Sequence, residues 1–191
     1  MILGHMPGGF LVSWLVLRKH RNQPWYLPAL LAGLFASISP DLDLFYHHFI
    51  DDRQHGHHSY WTHIPIYWIA IYALLYWPVH RWGSQALQVT LNVMFLALMS
   101  HMVLDSITSG IKWLYPFETQ YIGMWRYWLV PTRYDWWVLN YLLHWTIIFE
   151  FSLIASSLWI IWRDKALQSR VLALLQHLWS KQFAFKRAER D

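Results

Sequence analysis

The chain has no cysteine among its 191 residues. Disulfides, thiolate ligands and a cysteine nucleophile are therefore excluded, so any metal must be held by histidine and carboxylate, a donor set that suits zinc, manganese or iron. Charge is scarce as well. Charged residues make up 14% of the sequence against 56% apolar, and they gather in a few stretches instead of covering a surface. That excludes a soluble globular domain and leaves an all-α, polytopic transmembrane helical bundle. There is no G-x-S-x-G and no glycine loop to cradle phosphates, which removes serine-hydrolase and nucleotide-loop chemistry. The net charge of +4 has no nucleic-acid recognition motif beside it. Membrane lipids are the expected partners of its basic groups, and no nucleic acid is expected.

What is abundant is tryptophan, tyrosine and histidine. Fifteen Trp and eleven Tyr suit anchoring at both membrane–water boundaries. The apolar run from Phe10 to Leu17 follows no Lys or Arg and is itself followed by Arg18-Lys19-His20-Arg21, which is not the layout of a cleavable signal peptide. About five spans are expected. Met1 to Leu17 forms a short or partly inserted first segment, and Trp25 to Ser39 a second that ends at Pro40. Trp61 to Pro78, Leu87 to Ile107 and Trp136 to Trp162 follow, with an aromatic external segment from Lys112 to Asp135. From Arg163 the tail is basic, and Leu167, Val171, Leu174, Leu175 and Leu178 recur at helical spacing. It is expected to be an amphipathic helix on the inner leaflet. The organisation is thus 1–162 as transmembrane domain and 163–191 as cytoplasmic tail. In this layout eleven of the fifteen Lys and Arg fall on the side of the tail. The positive-inside bias then puts the tail in the cytoplasm and the N-terminus outside.

Histidines and aspartates collect at the opposite, external ends of these segments. His101 and Asp105 stand four apart on one helix, so an imidazole and a carboxylate share a face. Asp41 and Asp43 sit in an extended or turn segment after Pro40, and His58 and His63 flank the start of the third span. His5 comes from the first segment. Ionisable groups at such positions of a membrane protein point to function. The expected metal ligands are His5, Asp43, His58, His63, His101 and Asp105, with Asp41 as catalytic base. Thr62, Thr108 and Arg53 are expected behind them. These candidates suffice for one or two divalent ions, zinc first, with manganese or iron as alternatives. His47, His48, His55 and His57 are expected to belong to a hydrated connection. His144 and Glu150, six apart on the last span, are not expected to share a site.

The order of His5, P-D-L-D at 40–43, H-S-Y-W-T-H at 58–63 and H-M-V-L-D-S-I-T-S-G from 101, with a later P-F at 116–117, resembles the YdjM-like family of predicted membrane-bound metal-dependent hydrolases. The likeness covers roughly residues 1–120. Where that family's middle motif reads H-R-x-x-T-H-S, this chain keeps His58, Thr62 and His63 but has Ser59 for Arg and Ile64 for Ser. The lost cation would have to be replaced, with Arg53 as candidate. The ligand order is also similar, more loosely, to the zinc-dependent bacterial phospholipase C type of site. The resemblance implies a bacterial inner-membrane protein that hydrolyses a phospholipid or similar amphiphile through a metal-activated water at the external interface. Two other readings use the same residues. One is a non-catalytic metal-binding transporter or sensor; the other is a haem cytochrome, in which the aspartates would have no purpose.

Overall fold

The computed structural model describes residues 3–124 and 137–188. Among them no strand forms, and the helices are α1 (His5–Leu17), α2 (Tyr26–Ile38), α3 (Asp43–Phe49), α4 (Pro65–Trp82), α5 (Gln85–Thr108), α6 (Trp137–Leu142), α7 (Thr146–Arg163) and α8 (Lys165–Ala188). Short 3-10 turns occupy Arg18–His20, Ser39–Leu42, His57–Ser59 and Trp61–His63. The all-α helical bundle is the architecture expected.

The bundle is built around α1, α2 and α5, which pack closely on one another. Small residues permit this, as they do wherever membrane helices associate without a hydrophobic force between them. Gly9 lies against Ser37, and Gly33 lies against Ser13 and Val93. Two apolar layers result. Phe10, Leu17, Tyr26, Leu30, Val93 and Leu167 fill one end, while Ala36, Leu98, Met102 and Ile111 lie under the histidines at the other. Helix α4 leans on α5, and α7 on α1.

Three stretches are long and apolar enough to cross a membrane: Tyr26–Phe49, Gln85–Thr108 and Thr146–Arg163. The expected first span is a helix of 13 residues, about 20 Å long and short of the roughly 30 Å hydrocarbon thickness. Helix α4 has 18 residues, but its Tyr, Trp, His80 and Arg81 leave it less apolar than those three.

Helix α2 ends at Ile38, and of the two forms expected after Pro40, extended or turn, the chain takes the turn. Pro40 sits early in the 3-10 turn Ser39–Leu42, where its fixed φ is compatible and its missing N–H costs nothing. The chain therefore stays helical to Phe49, and Asp41 and Asp43 project from a rigid element. The long last span is broken at Leu143–Trp145. There the His144 Nδ1 accepts from the backbone N–H of Thr146 at 3.3 Å, meeting a donor exposed at the start of α7. Much of the expected external segment, beyond residue 124, lies outside the described residues, as does the start of the last expected span.

The tail is helical as expected, and its first turns belong to the bundle. Leu167 is buried in the core. The Asp164 carboxylate accepts from Leu167 N–H at 3.1 Å and from the Trp14 indole at 2.9 Å, and pairs with Arg21 at 3.3 Å.

Candidate metal centre

Six elements deliver ionisable side chains to one end of the bundle. Helix α1 opens with His5, and the 3-10 turn and α3 bring Asp41 and Asp43. The turns 57–59 and 61–63 supply His57, His58 and His63, and the last turns of α5 supply His101 and Asp105. The helix expected from Trp61 begins only at Pro65, so His63 precedes α4. His5, His63, His101 and Asp105 are buried. Asp41 is 28% exposed and is the most open carboxylate of the cluster.

The partners of the rings fix which nitrogen carries a proton. The His101 Nδ1 lies 2.7 Å from the Ser37 carbonyl, and the His58 Nδ1 lies 3.2 Å from the Gly110 carbonyl. Carbonyls only accept, so each Nδ1 donates and each Nε2 presents a lone pair. Gly110 can turn its chain back toward His58 because it adopts φ 88°, a conformation open to glycine. The His63 Nδ1 is 2.9 Å from an Asp43 oxygen, which makes it a donor too.

The Nε2 atoms then face one another and two carboxylates. His63 and His101 Nε2 are 3.3 Å apart. Asp105 Oδ2 stands 3.1 Å from His101, 3.4 Å from His58 and 3.7 Å from His63. Asp41 Oδ1 is 3.6 Å from His63 and 3.7 Å from His101. Acceptors directed at acceptors repel unless a cation lies between them. The spacings also suit one: ligands about 2.05 Å from a tetrahedral ion are separated by about 3.3 Å.

His5 closes another side. Its ring stacks on His101 at 3.7 Å, and its Nε2 lies 3.1 Å from Asp105 Oδ1. Asp105 therefore turns one oxygen to His5 and the other to three more histidines, an arrangement suited to bidentate or bridging ligation. The groups with metal-ligand spacing are His57/His58/His63, His5/His101/Asp105 and Asp41/His63/His101.

All seven expected carboxylates and imidazoles meet here, and Asp41 and Asp43 take different places among them. Asp43, expected as a ligand, lies behind the converging nitrogens. It accepts from His63 Nδ1 and from the Thr62 hydroxyl, and its other oxygen forms an ion-pair contact with His57 Nδ1 at 2.8 Å. Such a carboxylate orients a ligand imidazole and raises its basicity. Asp41, expected as catalytic base, stands at ligand distance. Thr62 is behind the site as expected, whereas the Thr108 hydroxyl lies 3.5 Å from the backbone carbonyl of Asp105. Arg53 is exposed in the 51–55 turn at φ 61°. Among the described residues, no hydrogen bond or ion pair ties its side chain to the cluster.

His57, assigned above to the hydrated connection, is part of the site. Its two nitrogens address both aspartates, with Nε2 3.1 Å from Asp41. Burial pulls the imidazole down, but the hydrogen bonds to Asp41 and Asp43 outweigh it and push the group up to about 9. The cation facing the aspartates is thus His57, not Arg53. For His58 burial prevails and pushes it down to about 4, keeping a neutral ring with a free lone pair. Glu150 is a second residue the sequence did not bring to the site. Buried on α7, it accepts from Leu3 N–H at 2.6 Å and so anchors the segment that carries His5.

The family model described as YdjM inner membrane protein matches residues 1–183. No curated protein and no solved structure matches the chain.

Proposed function

The chain belongs to the YdjM inner membrane protein family, and from that premise we propose that it is a membrane-embedded metal-dependent hydrolase acting on a phospholipid or similar amphiphile at the external interface. The observation that carries this reading is the convergence of the His58, His63 and His101 Nε2 lone pairs on Asp105 and Asp41. His63, His101 and Asp105 would hold a divalent ion there, zinc by the donor set, and it would supply Lewis acidity to make water nucleophilic near neutral pH and to offset developing negative charge.

The side chains divide the remaining work. His63, His101 and Asp105 form the tightest group of ligands, with His58 and His5 beside them. Asp43 and the carbonyls of Ser37 and Gly110 hold the rings in the tautomer that binds a cation. Asp41, the most open carboxylate, accepts the proton from the attacking water, and His57, bonded to it, balances the charge at the mouth. A site at headgroup depth among aromatic residues favours an amphiphile over a soluble metabolite.

The test is elemental analysis of detergent-purified protein beside His101→Ala and Asp105→Ala, followed by hydrolysis assays on phospholipid vesicles. Stoichiometric metal in wild type, lost in both folded variants, with metal-dependent release of a lipid fragment, is expected. Bound metal with no turnover across lipid classes would favour a transporter or sensor. A wild type that takes up no ion on reconstitution would sink the metal reading altogether.

A further inference from the structure

Below the cluster, α2, α4 and α5 leave an apolar cleft of about 240 Å³, lined by Phe35, Ala36, Trp68, Ile71, Met94 and Leu98 among others. It arises because α4 packs along α5 while α2 packs along α1 and α5, so that the side between α2 and α4 stays open. Three connections tie it to the His/Asp cluster. Leu98 lies one helical turn before His101 on α5, and Ser39, at the α2 end of the cleft, lies two residues before Asp41. Trp68 donates its indole N–H to the Thr62 carbonyl at 2.7 Å, and the Thr62 hydroxyl in turn bonds Asp43.

The walls suit hydrocarbon. No charged side chain lines the cleft. Its polar groups are satisfied within the protein: Ser39 donates to the Ala36 carbonyl at 2.9 Å, and Tyr72 to Asn92 at 2.9 Å. From Leu98 to Leu91, and from Trp68 to Leu75, the lining runs seven residues, about 10 Å along each helix. That is two-thirds of the roughly 15 Å hydrocarbon depth of one leaflet. A helix about 10 to 12 Å across does not fit so narrow a space, whereas a single extended chain does.

We propose that this cleft seats one acyl chain of the amphiphile whose polar group reaches the His/Asp cluster. This rests on the hydrolase reading and adds to it the site that selects the substrate by its tail. Bulk lipid touches every exposed apolar residue, so the cleft is distinguished by preferential occupancy.

The experiment uses the full chain in nanodiscs of phosphatidylethanolamine and phosphatidylglycerol, doped with phosphatidylglycerol bearing a diazirine in one acyl chain. Adducts are mapped by mass spectrometry after illumination. Labelling at Ile71 and Met94 is expected to exceed that at the exposed Ile148 and Leu158 of α7 by about tenfold. Met94→Trp and Leu75→Trp, which narrow the cleft from opposite walls, are each expected to abolish that excess while leaving metal content unchanged. Equal labelling of cleft and α7 residues would overturn the proposal, as would an undiminished excess in both folded variants. Metal content of the same wild-type samples separates the two readings: a metal-free protein with a selectively labelled cleft removes the hydrolase and leaves a lipid-binding site.

Discussion

At the scale of single residues the cluster carries a competition between protons and metal. His57 has its pKa raised to about 9 in the folded chain, above the ordinary imidazole value of 6.5, because its bonds to Asp41 and Asp43 outweigh its burial. A raised pKa contributes stability that is fully present below about 6.5 and is lost as pH climbs through about 9. Metal binding runs the other way, since its ligands must be deprotonated. Metal-stripped protein is therefore expected to melt at lower temperature at pH 9 than at pH 6, while the stabilisation gained on adding zinc grows over that interval. His57→Asn should flatten the first trend, and thermal unfolding of stripped and loaded samples at both pH values measures each. A stripped protein equally stable at both would refute the assignment of His57 as the cation between the aspartates. The contrast with His101 and Asp105 explains what was legible. Those two share one helix face at a spacing visible in the sequence. His57 depends on partners 16 and 14 residues away, whose approach requires the 3-10 turn at Pro40, and nothing in the histidine-rich loop distinguished it from His55.

At the scale of elements, the site is as rigid as the contact of α1, α2 and α5 beneath it. A methyl added at Gly9 would overlap the Ser37 side chain, and the Ser37 carbonyl is the acceptor that orients His101. Overpacking of this kind costs about 1–3 kcal/mol and here would also shift a metal ligand's support. Gly9→Ala is thus expected to lower both melting temperature and metal affinity. Adding Ser37→Gly leaves the Ser37 Cα, 3.6 Å from the new methyl, as the nearest atom, and keeps the carbonyl. The double variant should recover metal affinity and part of the stability, less about 1 kcal/mol for a glycine inside a helix. Additive losses in a double-mutant cycle would contradict the packing account. Apolar length made α2 and α5 readable in advance. It misled where local hydrogen bonding prevailed, as at His144, whose ring meets the first donors of α7 and divides an apolar run that composition alone makes continuous.

For the whole molecule the open question is which way it faces, and the absence of cysteine makes this directly measurable. The clamp formed by Asp164, Trp14 and Arg21 fixes the start of α8 at the end of the bundle opposite the His/Asp cluster. The cluster and the tail therefore lie at opposite ends whichever orientation holds. On the five-span layout expected from the sequence, eleven of the fifteen Lys and Arg fall on the tail's side, and the orientation we propose from the positive-inside bias has the tail in the cytoplasm and the cluster outside. Gln54 and Ser180 are both exposed, one in the turn beside the cluster and one on α8. In intact cells a membrane-impermeant maleimide should label Gln54→Cys and spare Ser180→Cys until the cells are opened. The reverse pattern would place the cluster at the cytoplasmic face. The proposed hydrolysis would then draw on the inner leaflet's lipids, with the proposed metal site and acyl-chain cleft unchanged, because both rest on contacts within the bundle and not on its orientation.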